Sequence, residues 1–136
     1  MSRVFADTHF FVALLSSRDA QHARAVEVYG EQDFEEIVTT AWILSELADG
    51  MNRTHVRSPC HRFIQRLRQR GDTRIVEAER GLFWRGFDLY GQRKDKEWSL
   101  TDCISFVVLE DEGLTEALTH DHHFTQAGYV ALLAGD

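Results

Sequence analysis

Short β-prone runs alternate with longer helical runs along the whole chain, and this alternation restricts the possible folds more than any other feature. RVFA (3–6) has strand character and is followed by a helical run from Thr8 to about Ser16. A second helical run covers roughly Ala20 to Glu31, with Asp19 placed to cap it. A strand over Glu35–Thr39 leads into a helix from Ala41 to about Arg53. The single proline, Pro59, follows Ser58 in the pattern of an N-cap and first helical residue. A helix is therefore expected from there to about Arg70, stopping at Gly71. A strand near Arg74–Glu77, a long helix over about 79–94 and a helix opening at Ser99 come next. TEALT (115–119) and YVALL (129–133) complete the series as strands. Strands joined through helices need crossover connections, which give an α/β fold with a mostly parallel sheet.

At 136 residues the chain has the length of about one domain, and its 43% hydrophobic content suffices for a core without disulfides or metals. Cys60 and Cys103 both fall in helical runs, which points to reduced thiols in a cytoplasmic protein. The opening run, MSRVFADTHFFVALL, is apolar only briefly and is broken by Asp7 and His9. Neither a secretion signal nor a membrane span is expected from it. The net charge of −7 disfavours nonspecific attraction to nucleic acid, which needs basic surface. The charge is unevenly spread, however. Between Arg53 and Arg74, seven arginines (Arg53, Arg57, Arg62, Arg66, Arg68, Arg70 and Arg74) stand against one acid, Asp72. Arg62, Arg66 and Arg70 recur every four residues beside Phe63 and Leu67, which makes them a candidate contact for an RNA backbone, or simply a solvated helix face.

The acids fall at telling places on the strand–helix alternation. Asp7 follows the first strand and Asp121 follows TEALT, and ligands of open α/β sheets bind outside the carboxyl ends of strands. Asp102 lies in SLTDCISF, three residues after Ser99, the spacing of a capping box. The run after it, Cys-Ile-Ser-Phe-Val-Val-Leu, is apolar nearly all round and so belongs to a buried helix. A carboxylate at the mouth of such a helix either caps it or faces a partner inside the fold. Glu46, in TTAWILSELADGMNR, sits beside an apolar arc of Ile43, Leu44, Leu47, Ala48 and Met51 and can lean over the same edge. Carboxylates crowded together repel unless a cation neutralises them, and hard oxygen donors suit Mg²⁺ or Mn²⁺. One or two such ions would polarise a water for in-line attack on a phosphodiester. His120, His122 and His123 surround Asp121 but lack a second cluster at zinc-finger spacing, so they read as exposed loop residues; His9 and His22 carry no stronger signal.

VFADT, SELADG and DKEWSLTDCISFVVLEDEGLTEALTHDHHFTQAG, in that order, resemble the PIN-domain ribonucleases, in particular the VapC-type toxins of toxin–antitoxin pairs. The resemblance spans the chain. It implies a single PIN-like nuclease domain over residues 1–136, three-layered, with a central, mostly parallel sheet of about 4–5 strands flanked by helices. It also implies that Asp7, Glu46, Asp102 and Asp121 are the four acids of a metal site holding one or two Mg²⁺ or Mn²⁺ ions, with RNA as substrate. Thr8 and Thr119 match hydroxyl positions that support the acids. A homodimer, and a cognate antitoxin whose tail covers the site, are further implications. Arg53–Arg74 shows least family pattern, so its role rests on charge alone.

Two other readings are open at this level. A haloacid-dehalogenase-like phosphatase also begins with an aspartate after its first strand, but needs a second one two residues later, where this chain has His9. A non-enzymatic module binding RNA or a protein partner through the arginines would use the acids structurally only. Metal-dependent cleavage of RNA separates it from a nuclease.

Overall fold

The computed structural model describes residues 2–31 and 34–134. Five strands form one sheet: β1 (Ser2–Ala6), β2 (Phe34–Thr40), β3 (Thr73–Val76), β4 (Glu116–Leu118) and β5 (Val130–Ala131). Their order is β3-β2-β1-β4-β5, and every neighbouring pair is parallel. The helices are α1 (Thr8–Leu15), α2 (His22–Glu31), α3 (Ala41–Gly50), α4 (Thr54–Gln69), α5 (Arg80–Gln92), α6 (Leu100–Asp111) and α7 (His122–Gln126).

This order dictates the layers. Crossovers between parallel strands are right-handed, so connections stepping one way across a sheet lie on one face and those stepping back lie on the other. The path β1→β2→β3 steps outward through α1–α4, while β3→β4→β5 returns through α5–α7. The packing agrees: α1 lies against α2 and α3, and α3 against α4, whereas α5 packs on α6 and α6 on α7. The expected three-layer fold is thus present. The strand order switches sides between β1 and β4, whose connections leave on opposite faces, and this opens a crevice beyond their carboxyl ends.

The core is aromatic and dense around that crevice. Phe5, Phe10, Phe11 and Phe124 are fully buried, each worth about 1.5–3 kcal/mol of apolar transfer. In α6, Cys103, Ile104, Ser105, Phe106, Val108 and Leu109 are all buried, as its nearly continuous apolar sequence requires. Gly86 permits the contact between α5 and α6, since a Cβ there would lie 2.3 Å from Ile104 Cγ1. Both cysteines are buried free thiols, and burial pushes Cys103 up to about 11. No helix among the described residues is long and apolar enough to cross a membrane.

Three local expectations need correction. The helix containing Pro59 begins at Thr54, with Arg53 as N-cap in extended backbone, so Ser58 is not its cap. The reason is the apolar stripe of half-buried Val56 and buried Cys60, Phe63 and Leu67, whose helical spacing starts upstream of the proline. Pro59 leaves the His55 carbonyl without a helical donor, and His55 is exposed to water, which satisfies it. Correspondingly α3 stops at Gly50, short of Arg53. Asp19 accepts from the Gln21 N–H (2.8 Å) in a turn before α2, which begins only at His22.

Candidate active site

Asp7 follows β1 directly and occupies the N-cap position of α1, yet its side chain makes no capping bond. Its Oδ2 instead accepts the Thr119 hydroxyl at 2.8 Å and lies 2.8 Å from His9 Nδ1, with the residue only 2% exposed. A buried carboxylate withheld from the adjacent helix end is directed at something else. Thr119, fully buried just past β4, also accepts the Asp121 N–H at 3.0 Å. One hydroxyl therefore ties the turns after β1 and β4 together. Thr39 adds a second tie, donating to the Ala6 carbonyl from β2 at 3.0 Å.

Asp121 caps α7, accepting from the His123 N–H at 2.9 Å. Asp102 completes the capping box foreseen in SLTDCISF. Its Oδ2 accepts the Ser99 N–H at 3.1 Å, and its own N–H donates to Ser99 Oγ at 3.0 Å. His123 Nδ1 lies between the two acids, 3.1 Å from Asp102 Oδ2 and 3.5 Å from Asp121 Oδ1. Glu46 is exposed on α3 and accepts the Thr8 hydroxyl in a very short contact, which leads it to the residue next to Asp7. The crevice thus gathers Asp7, Asp102 and Asp121 directly, with Glu46 beside them through Thr8.

The electrostatics follow from this crowding. Burial pushes the Asp102 carboxyl up, and the charges of Asp7 and Asp121 add to it against the Ser99 N–H and His123. His9 is raised to about 9, chiefly by its bond to Asp7, against the cost of burial. Among the described residues, none of the four acids pairs with a lysine or arginine; the side chains in ion-pair range of the aspartates are histidines. Donor atoms of Asp7, His9 and Asp121 lie within 4.8 Å of one another, as do those of Asp121, His122 and His123. A donor set of converging carboxylates, partly sequestered from water, fits a hard divalent cation.

His9 and His123 are the residues that sequence reasoning passed over. His123 is the second residue of a helix and largely covered, so it is not an exposed loop residue; His122 remains exposed. A usable signal existed for both, since each stands two positions after an aspartate at the N-cap position of a helix.

The arginine stripe lies elsewhere. Arg70 is outside the helix, as the C-cap of α4, held by two bonds to Asp72 (2.9 and 2.8 Å) and stacked on Tyr29. It does not belong to a free stripe with Arg62 and Arg66, which are exposed. Only three residues separate α4 from the start of β3, so Arg66 and Arg70 lie toward the amino ends of the parallel strands, opposite the acids.

Comparison with known proteins agrees with this architecture. A curated relative from Mycobacterium tuberculosis, the 23S rRNA-specific endonuclease VapC20, is 26% identical over 131 residues, covering 93% of this chain and 95% of its own. The crystal structure of M. tuberculosis VapC20, described as a Sarcin-Ricin loop cleaving toxin, superposes with a TM-score of 0.85 at 23% identity, covering 95% and 98% of the two chains. FitAcB from Neisseria gonorrhoeae shares the fold at a TM-score of 0.63 and 18% identity, covering 94% of each chain. VapBC2 from Rickettsia felis, bound to a promoter DNA fragment, does so at 0.65 and 11%, covering 95% and 96%. The PIN domain profile matches residues 4–128, and the chain belongs to the PIN-domain family.

Proposed function

We propose that this chain is a divalent-metal-dependent endoribonuclease and the toxin of a VapC-type toxin–antitoxin pair. The observation that carries the reading is the Thr119 hydroxyl joining Asp7 to the Asp121 backbone in a crevice whose acids, among the described residues, have no lysine or arginine partner. Such a site, left without cation, stores repulsion that a metal ion relieves. Asp7, Asp102 and Asp121 would hold one or two Mg²⁺ or Mn²⁺ ions, with Glu46 at the margin. The chemistry supplied by such ions when bound is polarisation of a phosphoryl oxygen and a more acidic water.

The chain's own residues do the rest. Thr119 and the Ser99 capping box fix the directions of Asp7 and Asp102, so little reorganisation is needed when substrate arrives. Thr8 holds Glu46 over the crevice. His9, beside Asp7, and His123, between Asp102 and Asp121, place imidazoles at the edge where a phosphate would approach.

The 23S rRNA-specific relative makes ribosomal RNA the first substrate to test, and a toxin–antitoxin complex from Klebsiella pneumoniae among the structural neighbours motivates an antitoxin partner. A cytoplasmic homodimer completes the proposal. Arg62 and Arg66 are available to RNA beyond the crevice or to the antitoxin. Sequencing of RNA ends after brief induction tests the reading, with Asp7→Asn beside the unsubstituted chain. Discrete new ends that need Asp7 are expected. Identical end profiles for the two proteins would overturn the ribonuclease assignment and favour a non-enzymatic binding module.

A further inference from the structure

Helix α5 carries three of the large apolar side chains most exposed on the molecule: Trp84 (49%), Phe87 (47%) and Tyr90 (51%). Exposed aromatic rings in a row are unusual on a soluble surface unless they meet something. Phe87 and Tyr90 face a groove of ≈ 860 Å³ whose other side is the segment leading into α6. That segment contributes Lys94, Lys96, Trp98 and Ser99. Lys94 is exposed and has no carboxylate partner among the described residues, while Lys96 reaches only Asp95, at 3.8 Å. Arg93 stacks on the buried Trp98 ring, 4.9 Å from its centroid. Among the described residues, Glu97 is the one acid lining the groove.

The groove ends at the chemistry. Ser99 lines it, and the Ser99 N–H donates to Asp102 Oδ2. Anything lying along Phe87, Tyr90 and the lysines thus reaches Ser99, one hydrogen bond from the Asp102 carboxylate. A protein–protein contact places few charges at its centre. Aromatic faces interleaved with cations instead match a single-stranded nucleic acid, whose bases stack on rings while its phosphates meet ammonium groups.

We infer that the groove between α5 and the Arg93–Leu100 segment is a nucleotide-binding subsite, where Phe87 and Tyr90 stack unpaired bases of single-stranded RNA and Lys94 and Lys96 hold its phosphates beside the scissile bond. This inference rests on the ribonuclease reading. It assigns to the acidic protein a local cationic path that the arginine stripe, near the opposite ends of the strands, does not supply.

The test uses fluorescence anisotropy of a labelled, mixed-sequence, single-stranded oligoribonucleotide of about twelve nucleotides, in EDTA so that it stays intact. Phe87→Ala/Tyr90→Ala should weaken binding about tenfold or more, and Phe87→Trp/Tyr90→Trp should restore it. Lys94→Gln/Lys96→Gln should flatten the dependence of log affinity on log salt by about 1.4, at about 0.7 per phosphate contact. Unchanged affinity and salt slope in both double variants would overturn the subsite. So would a change from dimer to monomer in sedimentation with affinity per protomer unchanged, because the rings would then belong to a contact between copies. Cleavage of total cellular RNA in Mg²⁺ by the unsubstituted protein separates the two levels. If it cleaves while the variants bind as it does, only the subsite falls. If it neither binds nor cleaves RNA, the ribonuclease reading falls as well.

Discussion

The Thr119 hydroxyl donates to Asp7 Oδ2 at 2.8 Å, joining the turn after β4 to the turn after β1 across the crevice of the sheet. The same oxygen accepts the Asp121 N–H, so one buried atom sets the positions of two acids. Thr119→Val keeps the shape and removes both bonds, leaving the Asp121 N–H without its partner. Loss of such an orienting partner typically costs 10–100-fold in metal affinity or activity. We expect Thr119→Val to cleave RNA about 10–100-fold more slowly, with Thr119→Ser close to the unsubstituted rate. Equal rates for Val and Ser would remove the hydroxyl from the site's working parts.

Asp102 both caps α6 and faces Asp7 and Asp121, and these roles can be separated. Its carboxyl is pushed above the ordinary value of 3.8, so its charged form opposes folding at neutral pH in the absence of metal. The sign is that of a raised carboxyl: its contribution favours the fold below the unfolded pKa and is lost as pH rises through the folded one. Asp102→Asn removes the charge and can still cap. The metal-free variant should therefore be at least as stable as metal-free wild type. A cation at a hundredfold excess over Kd should add about 2.7 kcal/mol to the wild type, a rise in Tm of roughly 8–16 °C at about 3–6 °C per kcal/mol. The variant should show a much smaller rise and almost no ribonuclease activity. Normal cleavage and a normal metal response in Asp102→Asn would leave Asp102 as a cap alone.

The alternation of strands and helices was readable because each element carries its own local pattern, as in the nearly continuous apolar run of α6 from Cys103 to Leu109. Asp7, Asp102 and Asp121 were readable because helix starts and strand ends are local features that the sheet order then assembles. What escaped was tertiary. Nothing near His123 in sequence announces Asp102, which lies 21 residues away and reaches it only once α6 and α7 pack. Pro59 misled because a local rule for helix starts competed with the apolar stripe that begins at Val56, and packing won. Arg70 looked like part of a stripe until Asp72, two residues on, drew it into the turn before β3.

Gly86 offers a stability test remote from the acids. A Cβ there would meet Ile104 Cγ1 at 2.3 Å and the Ile104 backbone at 3.0–3.1 Å, so the two helices must separate or Ile104 must change rotamer. Overpacking of this kind costs about 1–3 kcal/mol, beyond the roughly 1 kcal/mol that alanine gains in helix propensity. Gly91, on the same helix, has nothing within 4 Å of an added Cβ. Urea denaturation should show Gly86→Ala destabilised and Gly91→Ala neutral or stabilised. A stabilised Gly86→Ala would mean that the α5–α6 interface is looser than described.

Acid sensitivity should be traceable to one end of α6. Glu112, its C-cap, accepts from Arg3 of β1 at 2.9 Å and also contacts Arg74 of β3, while Arg3 reaches Glu36 of β2 at 2.9–3.0 Å. Four charged groups thus join three strands to a helix terminus. Arg74, and then Arg3, hold the Glu112 carboxyl below its ordinary 4.5, against the cost of partial burial. The sign follows from the depressed value: the unfolded chain takes up the proton first, so the stabilisation is complete above about 4.5 and is lost as pH falls through the folded pKa. Arg3 and Arg74 are well exposed, and solvent screening limits the contribution to about 1 kcal/mol or less. Glu112→Gln should therefore be less stable than wild type by up to that amount at pH 7, with the difference shrinking below about pH 4.5. Urea midpoints measured from pH 7 down to pH 3 would show it; a stability difference that stays constant over that range would assign the effect of Glu112 to packing at the end of α6 and not to its charge.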